Sequence, residues 1–175
     1  MPDPTLSAAL KEAYAIAPTD EVIYHTLELW HPAFSAPIRV VRDYANIDAM
    51  IETTAARDAG TVVAFTAYAF NVIPPDLSAT SLPQCSIEID NISRDIMAQV
   101  DLAILQTEKI TVIYRAYLSN SPTSGPQNNP PLEMEIITMS ANPLRLSATA
   151  GFVNLLDKRF PSLDYSLEIF AGLLP

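Results

Sequence analysis

Few side chains in this sequence have the types and spacing that chemistry needs. His25 and His31 are the only histidines, and their even spacing along an extended segment would place both on one face of a strand. With Cys85 or an acid they could bind zinc, but none of the usual ligand spacings is present. We favour a hydrogen-bonded histidine beside a turn. The single cysteine also excludes an internal disulfide and a cysteine-built iron–sulfur site, so we predict neither a metal nor a cofactor.

Pairs of acidic residues are the other catalytic candidates. Glu133 and Glu135 alternate on one predicted strand, as do Glu88 and Asp90 on another, and paired carboxylates can perform acid–base catalysis. The same alternation is typical of the solvated face of a half-buried strand, which is the interpretation we prefer. There is no G-x-S-x-G turn or phosphate-binding loop, and the four glycines leave little room for one. We therefore predict a protein that is not an enzyme and rank a hydrolase last among the alternatives.

The clearest local pattern lies between residues 83 and 119, where a strand, a helix and a strand follow one another closely. Residues 86–90 alternate apolar and acidic side chains, and residues 110–118 alternate again. Between them an apolar stripe recurs at steps of three and four, which is typical of one face of a helix. The stripe consists of Ile92, Ile96, Val100, Ala103 and Ile104. We predict that this stripe packs on a sheet.

Other elements are predicted on both sides of this unit. Strands are expected over residues 21–30, 38–44, 61–73, 132–140 and 144–155, and a short helix or turn over 46–57. Residues 1–18 form a helical arm, the polar segment 119–131 an exposed, mobile loop, and residues 160–175 an extended C-terminal segment. We therefore predict one α+β domain over residues 1–175, dominated by β-structure. Its core would be a mainly antiparallel sheet or a partly open β-barrel, with two or three helices.

Composition limits the possible partners. The chain has 175 residues, a net charge of −10, 49% hydrophobic residues and 17% charged residues. Nucleic-acid binding is not expected, because phosphate contacts need a surplus of lysine and arginine, and Arg39, Arg42, Arg94 and Arg115 are scattered along the chain. The low charged content indicates that partners cover part of the surface. We find no signal peptide and no apolar run near the ~18 residues of a membrane span, so we expect synthesis in a cytosol.

Three stretches of the chain resemble a known family. The first is LELWHPAFSAPIRVVRDY at residues 27–44, and the second combines VVAFTAYAFNVIPP with IEIDNISRDI and ITVIYRAYLS. The third is the closing RFP, followed by the segment ending in IFAGLLP. Together they resemble short tail proteins of long-tailed bacteriophages, a family described only as a domain of unknown function. The order of elements is also similar to the N-terminal hub part of tail-tip protein L of lambda-like phages, without its cysteine-rich iron–sulfur segment.

The resemblance implies a structural component of a phage tail tip or baseplate. Such hubs form a ring, typically a trimer, that joins the tail tube and the tape-measure protein to the central fibre or receptor-binding protein. The resemblance thus implies a virion protein at the distal end of the tail, assembled in the host cytoplasm. An acidic protein suits a channel that DNA passes through.

Contacts in a closed ring require two different surfaces of the subunit. The N-terminal helix and the apolar C-terminus are our candidates. The expected contact anchors are aromatic, although such residues are more often in the core: Tyr24, Trp30, Phe70, Tyr117 and Phe170. The alternative function is a carbohydrate-binding or adsorption module at the tail tip, in which exposed aromatic side chains beside the segment 120–131 would hold sugars.

Overall fold

A computed structural model describes residues 5–16, 21–73, 84–90, 94–104, 106–142 and 144–152. These residues form nine strands, two α-helices and one short 3-10 helix. In chain order the elements are α1 (Ala8–Ile16), β1 (Ile23–Trp30), β2 (Ile38–Val41), β3 (Ile47–Met50), β4 (Val62–Ala67), β5 (Phe70–Ile73), β6 (Gln84–Asp90), α2 (Arg94–Ile104), β7 (Thr111–Leu118), the 3-10 helix (Pro122–Ser124), β8 (Leu132–Asn142) and β9 (Arg145–Gly151). The predicted β-dominated α+β class is confirmed.

The strands form one sheet in the order β3-β4-β2-β1-β7-β8-β9-β6-β5. Every described pairing is antiparallel except that of β2 with β4. Only Tyr68 and Ala69 separate β4, which pairs with β2, from β5, which pairs with β6. The Tyr68 N–H still donates to the Val41 carbonyl, and the Ala69 carbonyl accepts from the Asp90 N–H. Residues 62–73 therefore link distant parts of the sheet, and the sheet curls around its core.

The largest apolar cluster lies between the inner face of the curled sheet and α2. It includes Leu27, Leu29, Ile87, Ile89, Val112, Met134 and Leu146 from five strands. Val100 and Ala103 of α2 are buried in this cluster and Ile96 packs against it, so the predicted stripe faces the sheet at these three positions. Ile92 lies outside the described residues.

The N-terminal helix packs on the face of β7 that also carries Val112 of the largest cluster. Leu10 and Ala13 of α1 are buried against Ala116 and Leu118 of β7. The Ser7 hydroxyl oxygen accepts a hydrogen bond from the Leu10 N–H at 3.1 Å, which satisfies one free donor of the first helical turn. α1 is thus fixed to the body of its own subunit by one face.

Three predictions about local structure are wrong. Residues 47–50 form strand β3 rather than a helix or turn, because they pair with β4. The predicted strand 61–73 is two strands. The segment 119–131 is not exposed throughout, because Asn128 is buried and its side chain bonds the Ala116 N–H and the Tyr114 carbonyl at 2.9 and 3.1 Å.

The segment 119–131 also contacts the N-terminal arm. The Ser7 N–H donates to the Gln127 carbonyl, and the Asn129 N–H to the Thr5 carbonyl. The mobility of the segment stays a prediction, and so does the extended form of residues 160–175, which lie outside the described residues. Neither of the two described α-helices has the length and apolar character of a membrane-spanning helix.

Candidate functional site

Six charged side chains meet on one face of β2, β1 and β7, and we call them the charge network. Glu28 lies on β1, between Arg39 of β2 and Arg115 of β7. The chain after β3 folds over this face and contributes the remaining members, Glu52, Arg57 and Asp58. The negative charges of the three acids equal the positive charges of the three arginines in number. The network therefore brings together two of the arginines, Arg39 and Arg115, that looked scattered in the sequence.

Arg115 is the centre of the network. Its side chain is 1% exposed, and its Nη1 donates to Glu28 Oε2 at 2.8 Å. Its Nε and Nη2 donate to the two oxygens of Glu52 at 2.6 and 2.9 Å, a bidentate arrangement that fits the planar guanidinium. Burial alone would lower the pKa of Arg115, but the bonds to Glu52 and the charge of Glu28 outweigh it and raise the pKa. Arg115 is therefore always charged.

The outer part of the network is less tightly bonded. Arg39 Nε is 3.4 Å from Glu28 Oε2, and another nitrogen of Arg39 donates to Asp58. Arg57 Nε lies 3.9 Å from Glu28 Oε1, and its guanidinium stacks over the Trp30 ring at 4.0 Å. These contacts attach the 51–61 loop to the sheet. The chemistry of the network is structural, because its acids are occupied by arginines.

Several polar residues of the resembling stretches form hydrogen bonds within the subunit. His31, in the HPAF phrase, is fully buried, with Nδ1 accepting from the Ala33 N–H at 3.0 Å and Nε2 3.2 Å from the Glu108 carbonyl. This is the turn histidine that the sequence favours. The Tyr117 hydroxyl donates to the Met50 carbonyl at 3.1 Å, which attaches β7 to β3. Both stretches therefore supply polar groups that hold layers of the fold together.

His25 has a different environment from His31. Its Nδ1 lies 2.7 Å from the Tyr114 hydroxyl, and the two rings stack with centroids 6.0 Å apart. Burial lowers the pKa of His25, and the nearby Arg42 charge adds to the effect. Burial also raises the pKa of the Tyr114 phenol and of the Cys85 thiol. In the described part of the chain, no group of three or more His, Cys, Asp and Glu side chains could hold a metal ion.

The acidic pairs of the strands form ion pairs at the surface. Glu135 is 3.3 Å from the Lys109 Nζ. Arg145 of β9 reaches Asp90 at 2.7 Å and Glu88 at 3.5 Å, and these bonds raise the pKa of Arg145. Glu133 is exposed. These positions match the solvated strand faces expected from the alternation.

The predicted contact anchors differ in accessibility. Phe70 and Tyr117 are buried in separate apolar clusters, so neither is available at the subunit surface. Tyr24 is half-buried against the Tyr117 cluster, and Trp30 is half-buried beneath Arg57. Phe170 lies outside the described residues. The sequence could not separate these cases, because aromatic residues in strands are common in cores as well as in interfaces.

Most of the solvent-exposed side chains of α1 are apolar, and we call these exposed side chains the outward face of α1. Tyr14 and Ile16 on α1, and Val22 just before β1, are 52%, 66% and 57% exposed. Ala8, Ala9 and Ala15 are exposed as well, and Glu12 is the one exposed charged residue of this helix. An apolar helix face of this kind is typical of a surface that a partner covers. The sequence indicates the helix as a contact candidate but does not indicate which of its side chains are exposed.

The charge network was not predicted, although the sequence carries a signal for it. Glu28 and Arg115 each stand among apolar residues in strands whose two faces are both covered. Charged residues are rarely buried unless they are paired, so two opposite charges in central strands indicate an ion pair.

No curated protein matches the chain. Residues 9–165 match the model of the family described as Domain of unknown function (DUF1833), and the chain belongs to that family.

Proposed function

We propose that the protein is a structural component of a bacteriophage tail tip or baseplate. In this role it forms a ring that joins the tail tube and the end of the tape-measure protein to the central fibre or receptor-binding protein. The observation that carries the proposal is that polar residues of the resembling stretches bond to other groups of the same subunit. Four of these residues form side-chain hydrogen bonds within the fold: Glu28, His31, Arg115 and Tyr117. Motif residues used in this way support a structural role for the motifs rather than a reaction centre.

The outward face of α1 is the first contact surface that we propose for the ring. One face of the helix is fixed to β7, so the exposed side chains of the helix are held in a fixed position at the subunit surface. Burying exposed apolar area contributes about 25 cal/mol for each Å² removed from water. A closed ring also needs a second, different surface on each subunit. The C-terminal residues beyond 152 are our candidate for it.

The charge of the subunit supports a place around a channel. A net charge of −10 repels DNA phosphates, so DNA can pass without binding.

The native mass of the purified protein, alone and with co-expressed tail partners, tests this proposal. We expect a ring, typically a trimer, by light scattering coupled to size exclusion. Ile16→Lys places a charge in the outward face of α1 and should shift the mass towards the monomer. The matched control is Leu144→Lys, because Leu144 is also exposed but lies at the turn between β8 and β9. A monomer under both conditions contradicts the proposal, and equal masses for the two variants remove α1 from the contact.

One observation favours the alternative of a carbohydrate-binding or adsorption module. A groove of about 480 Å³ runs between α1 and the end of the 119–131 segment. The exposed rings of Tyr14 and Phe152 line it, together with Pro130 and Pro131. Aromatic rings beside polar loop groups can stack on sugars. A glycan array that shows no binding counts against this alternative, whereas binding that Tyr14→Ala abolishes would support it.

A further inference from the structure

A cavity of about 190 Å³ lies where β5 of the curled sheet approaches β1 and β7. Its apolar lining consists of Phe70 and Val72 from β5, Leu132 from β8 and Cys85 from β6. An engineered apolar cavity of about 150 Å³ accepts benzene, so this space is large enough for one six-membered ring. The walls come from strands far apart in sequence, and the cavity is therefore a product of the fold.

The remaining side chains of the cavity lining are polar. His25 and Tyr114, joined at 2.7 Å, line the cavity together with Tyr14 and Arg42. The Tyr14 side chain lies beside that of Tyr114 in this lining. The lining thus offers hydroxyl and imidazole groups together with a guanidinium. A cavity with an apolar wall and a few convergent polar groups is the usual form of a small-molecule site.

Arg42 differs from the other arginines that the structure describes in full. The side chains of Arg39, Arg57, Arg115 and Arg145 all form ion pairs with acids. No ion pair with a described residue involves Arg42, which stands at the cavity. A guanidinium cannot be deprotonated in a protein and binds a carboxylate through two parallel hydrogen bonds. The charge of Arg42, which pairs with no acid among the described residues, therefore favours an anionic group in this cavity.

We propose that this cavity binds a small carboxylic acid that carries a single ring. The carboxylate would pair with Arg42, and the ring would lie against Phe70, Val72 and Leu132. Ligands of about this size reach dissociation constants of roughly 0.1–1 mM at ordinary efficiency per atom. This proposal does not depend on the structural role, because ligand titration and native mass are separate measurements.

Titration calorimetry with phenylacetate and with its neutral analogue 2-phenylacetamide tests the proposal. We expect the acid to bind and the amide to bind roughly 10- to 100-fold more weakly, which is the range for a hydrogen bond to a charged group. Arg42→Gln should weaken phenylacetate binding by a similar factor. The matched control is Arg145→Gln, an exposed arginine on β9, which should bind phenylacetate with unchanged affinity.

A second variant tests the position of the ligand. Val72→Phe fills the cavity from edge strand β5 and should abolish binding in a protein whose circular dichroism is unchanged. No heat of binding for phenylacetate at several millimolar overturns the proposal. Equal affinities for acid and amide, or an Arg42→Gln protein that binds as well as the wild type, overturn it too. So does a folded Val72→Phe protein that still binds.

Discussion

Removing the guanidinium of Arg115 should be the most damaging single change in the charge network. In Arg115→Met the carboxylates of Glu28 and Glu52 lose three hydrogen bonds of 2.6–2.9 Å, while the Glu28 side chain stays 2% exposed. Arg39 and Arg57 remain near Glu28, at 3.4 and 3.9 Å, and compensate only part of its charge. Breaking a buried ion pair on one side costs about 3–5 kcal/mol, and we expect a loss in that range.

Urea denaturation followed by circular dichroism measures this loss. With a denaturant slope of about 2 kcal/mol per molar urea, a loss of about 4 kcal/mol lowers the midpoint by about 2 M. Protein concentration must be held constant, because assembly adds to the apparent stability. The control is Arg145→Met on β9, whose exposed ion pairs to Glu88 and Asp90 should leave the midpoint unchanged.

A double-mutant cycle separates the network from simple loss of packing. Arg115→Met combined with Glu28→Gln should cost less than the sum of the two single changes by about 1–3 kcal/mol, because the second change removes the uncompensated charge. Strictly additive effects, or an Arg115→Met protein that is as stable as Arg145→Met, would refute the reasoning.

Three further predictions follow from the buried groups. Val100→Asp should unfold the subunit, because Val100 of α2 is fully buried in the core, whereas Leu102→Asp on the exposed side of the helix should stay folded; a soluble, folded Val100→Asp protein would show the opposite orientation. Cys85 should react with a thiol reagent much larger than phenylacetate only after urea is added, because its thiol is buried beside a cavity of about 190 Å³ and its pKa is raised; rapid native labelling by such a reagent contradicts this burial. Because the folded pKa of His25 is lowered, the unfolded state binds more protons, so this group destabilises the protein as pH falls below about 6.5. Between about pH 7.5 and 5.5, the melting temperature of the His25→Gln protein should therefore fall by less than that of the wild type. An equal fall in both proteins contradicts this prediction.

Local periodicity in the sequence identified the strand–helix–strand unit correctly. The stripe at Ile96, Val100 and Ala103 could be predicted because the apolar period of a helix depends only on residues that are close together in the sequence. The same reasoning failed at residues 47–50, because four residues are too few to separate a strand from a helical turn, and pairing with β4 decides the outcome. Tertiary contacts overrode local preference there.

The charge network and the packing of Asn128 depend on contacts between distant parts of the chain. Glu28 and Arg115 are 87 positions apart, and Glu52 and Arg115 are 63 apart, so no short pattern shows that they meet. The 119–131 segment is polar in composition, but the Asn128 side chain takes the place of backbone partners for Tyr114 and Ala116. Composition alone predicts exposure, whereas specific side-chain bonds permit burial.

Immunogold labelling of purified tailed phage particles tests the structural proposal most directly. An antibody against this chain should label the distal end of the tail on particles that carry the protein. Tail-less particles and particles treated with pre-immune serum are the controls. Gold at the tail tip is the result that we predict. Particles without any label at the tail tip, together with the protein recovered only outside the virion, would contradict the proposal.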